Sequence, residues 1–517
     1  METFPEIRNE NGVFTFRLGG QPCLLLGGEL HNSSASDPVY MEKRVLPALR
    51  RLRGNLILAP VYWEKLEPEE GVYDFTLVDV LVRMMRREGF KLGLLWFGTW
   101  KGPDSLFLPG WLKAELTDGD FQRDENGRLI RQISPFAERV LTADRKAYVQ
   151  LMRHLREIDE EAQTVVLMQV ENEPGTWFHR RDHSARAEAA FASPLPADAA
   201  AFYGVSGSWE ALQEDADEAF MSYYVAKAVG GIAAAGKEVC PLPVFTNCVP
   251  NMGFLHVAGG PSAENAEAWK TFAPAVDVLT PNVYDPGFER IVSAYNRPDN
   301  PLMIPETGLD KDLLSKLLFT VGTGGLMYSP FGIEELFPEP RDEYHFRLPG
   351  RRPPIENGEA LAEAYQILQL LYPEILGALK EKRIHTLIQG PDEKAGTPVP
   401  GFGGMLRFEG GSSRMETLQR YVFRFDLGVD PVPETAPLAA AMVIEEGEDC
   451  FLFAGVNIAV SLSAADPDQT VFVEDYREYV LRDGALTEGR TLNGDERNTI
   501  TAGEQLTVLR FRLSTHR

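Results

Sequence analysis

The 517-residue sequence predicts a (β/α)₈ TIM barrel followed by a C-terminal β-sandwich domain, with the barrel expected over residues 1–385 and the sandwich over residues 386–517. Short, almost continuously apolar runs alternate with amphipathic helical patterns, which is how parallel strands covered on both faces read. Eight such runs occur, enough to close a barrel. From about Gly390 glycine-rich turns separate short alternating segments without helical periodicity, the pattern of packed antiparallel sheets.

Taken in order, Pro22–Gly27 is the first run, opening into Gly28-Glu29-Leu30-His31-Asn32-Ser33-Ser34. Asp37 and Pro38 then supply an N-cap and a first-turn proline for a helix with Val45, Leu46, Leu49 and Leu52 on one face. Asn55–Trp63 is the second strand, followed by a helix marked by Leu77, Leu81, Met84 and Met85. Lys91–Phe97 is the third, and after a long loop Tyr148, Leu151, Met152, Leu155 and Ile158 mark its helix. The fourth run, Thr164–Met168, leads through a long excursion to a helix carrying Phe220, Tyr223, Tyr224 and Ala228. Leu242–Asn247, Val276–Asn282, Leu302–Glu306 and Gly325–Phe331 complete the set, with a helix over Ala360–Tyr372. In the tail, Met442–Ile444, Cys450–Phe453, Val471–Val473, Tyr476–Val480 and Leu506–Leu513 read as strands, and Pro431–Pro437 as an exposed turn.

Composition narrows the function. A hydrophobic share of 44% and a charged share of 25% are those of an ordinary globular chain. The net charge of -25 opposes phosphate backbones and anionic membranes, which gain nothing from an acidic partner. No apolar stretch long enough to span a bilayer occurs, and Met1–Glu6 lacks the basic and apolar regions of a signal peptide, so the chain reads as cytoplasmic. Cys23, Cys240, Cys248 and Cys450 are too scattered for a disulfide framework or a zinc site. His179 and His183 have metal-pair spacing but sit among Arg180 and Arg181, whose charges would repel a cation, so neither a metal nor another cofactor is expected. The expected partner is a carbohydrate, with no nucleic acid and no membrane; homo-oligomerisation is compatible with the composition.

The chemistry gathers at two strand ends. Thr164–Met168 runs into Gln169-Val170-Glu171-Asn172-Glu173-Pro174-Gly175, and Pro301–Ile304 runs into Pro305-Glu306-Thr307-Gly308. Carboxylates that end the fourth and seventh strands lie on the same rim of a parallel barrel, where such folds carry their sites. Two carboxyls about 5 to 5.5 Å apart suit double displacement at an anomeric carbon, whereas inversion uses about 6.5 to 9.5 Å. Strand alternation sets Glu171 on the same face as Glu173, one step deeper, as a paired core carboxylate.

On these motifs the chain resembles the retaining glycosidases of the large (β/α)₈ clan, and within it glycoside hydrolase family 35, the β-galactosidases. The stretches that carry the resemblance are Gln169–Glu173, Trp63 with Glu67–Phe75, and more loosely Leu108–Leu112, within residues 10 to 380. The resemblance implies that Glu173 is the acid/base and Glu306 the nucleophile, that Asn172 bonds the sugar 2-hydroxyl, and that Tyr284 holds the nucleophile. It further implies removal of a terminal β-D-galactosyl or closely related residue. Glu29, His31 and Asn32 after strand one, and Asn247 on strand five, are candidate partners of sugar hydroxyls. Trp100 and Trp177 are candidate stacking surfaces, as are Trp63 and Trp96 unless they belong to the core.

Three departures bear on the sugar. Asn32-Ser33-Ser34 stands where the family carries a tyrosine, and Gly98-Thr99-Trp100-Lys101 where it carries Ala-Glu-Trp, removing a sugar-binding carboxylate. Pro174 replaces the tyrosine after the acid/base. Long loops over Gly98–Ala143, Gly175–Asp215 and Phe331–Gly358 suit an exo-acting pocket. A related β-glucosidase or transglycosylase, or a binding protein without turnover, would share this pattern; retention of both carboxylates favours an enzyme.

Overall fold

The computed structural model describes residues 4–105, 107–250, 256–284, 287–337, 358–390, 413–427, 436–497 and 500–517. A small antiparallel sheet of Glu6–Glu10, Val13–Leu18 and Gln21–Pro22 leads into the barrel. The barrel strands are β1 (Leu25–Glu29), β2 (Leu56–Tyr62), β3 (Lys91–Lys101), β4 (Val165–Asn172), β5 (Val244–Cys248), β6 (Val278–Val283), β7 (Met303–Ile304 and Glu306–Thr307) and β8 (Met327–Tyr328). Adjacent members pair in parallel, and β8 returns to β1 through Met327 opposite Leu25. Every residue of β2 and of β4 is buried, the reason these runs are apolar without alternation.

The seventh strand is broken at Pro305. Met303 and Ile304 pair with β8, whereas Glu306 and Thr307 pair with Asn282 and Val283 of β6. A proline has no N–H to give to the ladder, so the strand changes partner there and presents Glu306 on the second half.

The helices cover the strands as the apolar spacing predicts. Glu138–Asp159 buries Val140, Asp144, Ala147, Tyr148, Leu151, Met152 and Leu155 on one stripe, and Ala216–Lys237 buries Phe220, Tyr223, Val225 and Val229. Leu313–Gly322, which follows β7, is buried at every position. A helix buried on every side needs cover on every side, and the C-terminal domain supplies part of it: Ser315 on the helix and Lys311 just before it donate to the backbone oxygens of Leu438 and Ala436, at 2.6 and 2.7 Å.

Those sheets form the C-terminal β-sandwich. One is six-stranded in the order Ile384–Gln389, Ala439–Glu445, Cys450–Val456, Thr507–His516, Thr470–Arg482, Ala485–Thr491; the other has Ser413–Leu418, Tyr421–Leu427, Ile458–Ala464 and Ile500–Ala502. Ala439–Glu445 shows why both faces are apolar: Ala439, Ala441 and Val443 enter the sandwich core, and Ala440, Met442 and Ile444 the barrel core. Of the turn expected at Pro431–Pro437, residues 431–435 lie outside the described residues, as do residues 338–357 of the loop after β8. Among the described residues no helix is long and apolar enough to cross a membrane.

Candidate active site

The carboxyl ends of β4 and β7 hold Glu173 and Glu306, each buried to 9% exposure. Glu173 follows the last residue of β4 with φ of 52°, a left-handed conformation that costs a non-glycine residue on the order of 1 kcal/mol and must be held by its surroundings. Three neighbours hold it. Its backbone N–H donates to Asn247 Oδ1 at 2.9 Å, and Asn282 Nδ2 donates to its Oε1 at 2.7 Å. Trp177 Nε1 donates to its backbone oxygen at 3.1 Å. Asn247 Nδ2 also donates to Asn282 Oδ1 at 3.3 Å, which turns the Asn282 amide so that its nitrogen faces the carboxylate. Asn282 is in register with Glu306, so one residue of β6 stands beside both acids.

Glu306 accepts a hydrogen bond from the Tyr284 hydroxyl, just past β6. Tyr284 is 43% exposed and Asn282 fully buried, so one carboxyl is held from the rim and the other from within. Asn172 is fully buried; its Oδ1 accepts from Lys101 Nζ at 2.9 Å, and its Nδ2 has no hydrogen-bond partner.

Glu29 ends β1 at 1% exposure, with Oε2 buried and unpartnered. Burial, reinforced by the charges of Glu306, Glu173 and Glu334 and opposed by Lys101, holds its carboxyl well above the ordinary carboxylate range. The same surroundings favour its protonated form over the carboxylate. His31 is engaged elsewhere: its Nε2 lies 2.6 Å from Glu335 and its ring packs edge-on to Phe331. Asn32 keeps a buried Oδ1 without a hydrogen-bond partner.

Several expectations are corrected. Asn247 is not free for a sugar, because its oxygen and nitrogen are spent on Glu173 and Asn282 in a fully buried position. Trp100 is 0% exposed with its indole N–H on Ile133 O at 3.1 Å, so it presents no face to a ligand; Trp63 and Trp96 are equally buried core. Trp177, at 7% exposure, stays beside Glu173.

Glu171 does not share the face of Glu173. Its φ of 60° breaks the alternation and turns the side chain toward β3 and the helix Glu138–Asp159. There it accepts from the Trp100 and Thr99 N–H groups at 2.5 and 3.3 Å and meets Asp144. Asp144 accepts from Trp96 Nε1 at 2.8 Å and from the Thr99 N–H and hydroxyl at 2.8 and 2.5 Å. Burial first, then the charge of Asp144 and the hydrogen bond to it, holds Glu171 well above the usual range, making it the protonated partner.

Sequence reasoning missed Asn282 and Asp144. Asp144 did leave a signal, an acid on the apolar stripe four residues after Val140 and four before Tyr148. Asn282 left none beyond its place at a strand end. His179 and His183 face Glu125 and Glu188 at 3.3 and 2.6 Å. Among the described residues no cluster of three or more His, Cys, Asp or Glu side chains is arranged for a metal.

Comparison with known proteins adds two family matches. Residues 50–209, from the end of the helix before β2 into the long excursion after β4, match the glycoside hydrolase family 42 model, described as β-galactosidase. Residues 361–502 match a domain of unknown function, DUF5597. No curated protein matches. Among solved structures, a β-galactosidase from Bacillus circulans sp. alkalophilus is similar at 17% identity and TM-score 0.49, over 69% of this chain and 57% of that one. A β-galactosidase from the psychrophilic Marinomonas ef1 gives 14% and 0.48, over 69% and 61%. The exo-β-1,4-mannosidase Op5Man5 from Opitutaceae bacterium strain TAV5 gives 15% and 0.41, over 62% and 54%. The chain thus spans under two thirds of the length of each. The matching family model is thus family 42 rather than the family 35 of the resemblance, and the (β/α)₈ barrel that either implies is the fold observed.

Proposed function

We propose that the chain is a retaining, exo-acting glycoside hydrolase that removes a terminal β-D-galactosyl or closely related residue by double displacement. The observation that carries this reading is the pair of carboxyls at the ends of β4 and β7, each given a dedicated side-chain donor, Asn282 for Glu173 and Tyr284 for Glu306. Glu306 attacks the anomeric carbon while Glu173 passes its proton to the glycosidic oxygen, and the aglycone leaves. Water then attacks the glycosyl ester as Glu173 takes its proton, and Glu306 is released. The Tyr284 hydroxyl holds the Glu306 carboxylate for attack. The unpartnered Asn172 Nδ2 is available to the 2-hydroxyl, an interaction that strengthens as positive charge develops on the ring. The buried, unpartnered Oε2 of Glu29, whose surroundings favour its protonated form, is suited to meet a sugar oxygen.

The β-galactosyl assignment draws on the family-42 match over residues 50–209. Proton NMR of aryl β-galactoside cleavage should give the β-anomer first; first formation of the α-anomer would overturn the retaining mechanism. Side by side, kcat/KM should favour the aryl β-galactoside over the β-glucoside. A glucoside preference of about tenfold or more, ~1.4 kcal/mol in transition-state binding, would overturn the sugar while leaving the two-carboxylate mechanism standing.

A further inference from the structure

Lys101 is the last residue of β3 and lies in register with Asn172, the last residue of β4. Its ammonium donates to Asn172 Oδ1 at 2.9 Å and sits 4.9 Å over the Phe97 ring, which restrains the lysine stem. The backbone is fixed at the same place: Gly102 N–H donates to Asn172 O at 3.0 Å, and Gln132 Nε2 ties Gly102 O to Gly175 O at 3.2 and 3.1 Å. An ammonium only donates, so the amide atom facing it must be the oxygen. That removes the ambiguity of an asparagine flip and leaves Nδ2, fully buried and without a partner, as the free end. An unpaired buried donor is costly unless something completes it.

We propose that Lys101 is a positioning residue that locks the Asn172 amide with its nitrogen toward the sugar, so that a free 2-hydroxyl becomes a requirement of the substrate. The inference rests on the glycosidase reading above and assigns a role to the segment that departs from the expected strand-three pattern. A carboxylate in place of the Lys101 ammonium would instead accept from the Asn172 amide nitrogen and turn it the other way. The lysine's charge also favours the ionised form of Glu29, against the burial and neighbouring carboxylates that oppose it. Without it, Asn172 can rotate and present its oxygen, which accepts but cannot donate.

The test compares the wild type with Lys101→Met and Lys101→Arg on an aryl β-glycoside and its 2-deoxy counterpart. Lys101→Met should lower kcat/KM by at least ~10-fold on the 2-hydroxy substrate and by less than ~3-fold on the 2-deoxy substrate, as expected when a hydrogen bond to that single hydroxyl is removed. Lys101→Arg, still a pure donor, should recover part of the loss. A merely structural lysine would lower both substrates equally, and that result overturns the inference. A second readout needs no turnover: calorimetric binding of a nojirimycin-type iminosugar, which has the 2-hydroxyl, and an isofagomine-type one, which lacks it. Lys101→Met should weaken only the first. If the wild type hydrolyses no glycoside yet shows this selective loss, the catalytic reading falls and the role of Lys101 stands. Equal weakening of both inhibitors, or binding of neither by the wild type, overturns the role of Lys101.

Discussion

Two pairs of carboxyls start from β4 only two residues apart and meet opposite fates. Glu173 is turned to the barrel mouth, where it and Glu306 are each 9% exposed and receive neutral side-chain donors. Glu171 is turned outward, where it and Asp144 are fully enclosed by Trp96, Thr99 and Trp100. Two left-handed residues, Glu171 and Glu173, produce this divergence, so the backbone rather than the side-chain type decides which acid reaches the site. The lesson is that an acid meant to exchange protons keeps some access to solvent, whereas an acid meant to join a helix to a strand has its proton fixed by burial.

The largest expected effect breaks the outer pair. Glu306→Gly should lower turnover by at least ~10⁴-fold, as loss of a nucleophile does, without lowering the melting temperature. Azide should then restore activity and give an α-glycosyl azide from a β-glycoside. Glu173→Ala should cost about 10² to 10⁴-fold on poor leaving groups and much less on activated ones, because only the former need a proton. Equal losses on both classes would contradict the acid/base role and erase the contrast with Glu171.

Breaking the inner pair should act on stability instead. Gly98 lies against both acids: a Cβ there would stand 2.6 Å from Asp144 Oδ2, 2.7 Å from Glu171 Oε1 and 2.4 Å from Trp96 Nε1. Gly98→Ala should therefore cost about 1 to 3 kcal/mol by overpacking, read from denaturant unfolding. Glu171→Ala, which leaves Asp144 without its carboxyl partner and the Trp100 N–H unpaired in the core, should cost about 2 to 5 kcal/mol. Glu171→Gln keeps a neutral donor toward Asp144 and should cost under about 1 kcal/mol, with the pH–rate profile unchanged. A displaced basic limb in Glu171→Gln would mean that the two acids of β4 have exchanged roles.

How much of this was legible follows from which interactions are local. The barrel and the strand-end positions of Glu173 and Glu306 are readable because apolar runs and the Asn-Glu-Pro turn are properties of contiguous residues. The face of Glu171 is not readable, since alternation assumes extended backbone and its φ is 60°. Asn247 and Asn282 look alike as strand-end amides; only the neighbour across the ladder turns the first into a brace for Glu173 and the second into its donor. Trp100 and Trp177 likewise differ only in packing. In the tail, Ser413–Leu418 carries only Met415 and Leu418 as apolar residues and gives no alternation to read, whereas Tyr421–Leu427, with Tyr421, Phe423, Phe425 and Leu427 on one face, was legible and was passed over.

A third pair, between the helix Gly358–Glu381 and the sandwich, lies midway between these extremes and gives the smallest expected effect. Glu446 and Glu374 share Arg510, whose Nε lies 2.8 Å from Glu446 and whose Nη2 lies 2.9 Å from Glu374; the guanidinium also stacks 4.8 Å over the Tyr479 ring. Burial, then the hydrogen bond that protonated Glu446 donates to Glu374, pushes Glu446 from 4.5 up to about 7 despite the arginine. An acid whose folded value is raised is relatively stabilised while protonated. Its contribution is therefore intact below about pH 4.5, declines as the unfolded chain ionises first, and is lost once pH passes about 7. Because solvent reaches this site, the loss should stay under about 1 kcal/mol after screening. Unfolding curves at pH 4.5 and pH 8 should show wild type losing more stability than Glu446→Gln over that interval. If the two decline in parallel, Arg510 neutralises the pair completely, and partial burial alone does not suffice to fix a proton as full burial does at Glu171.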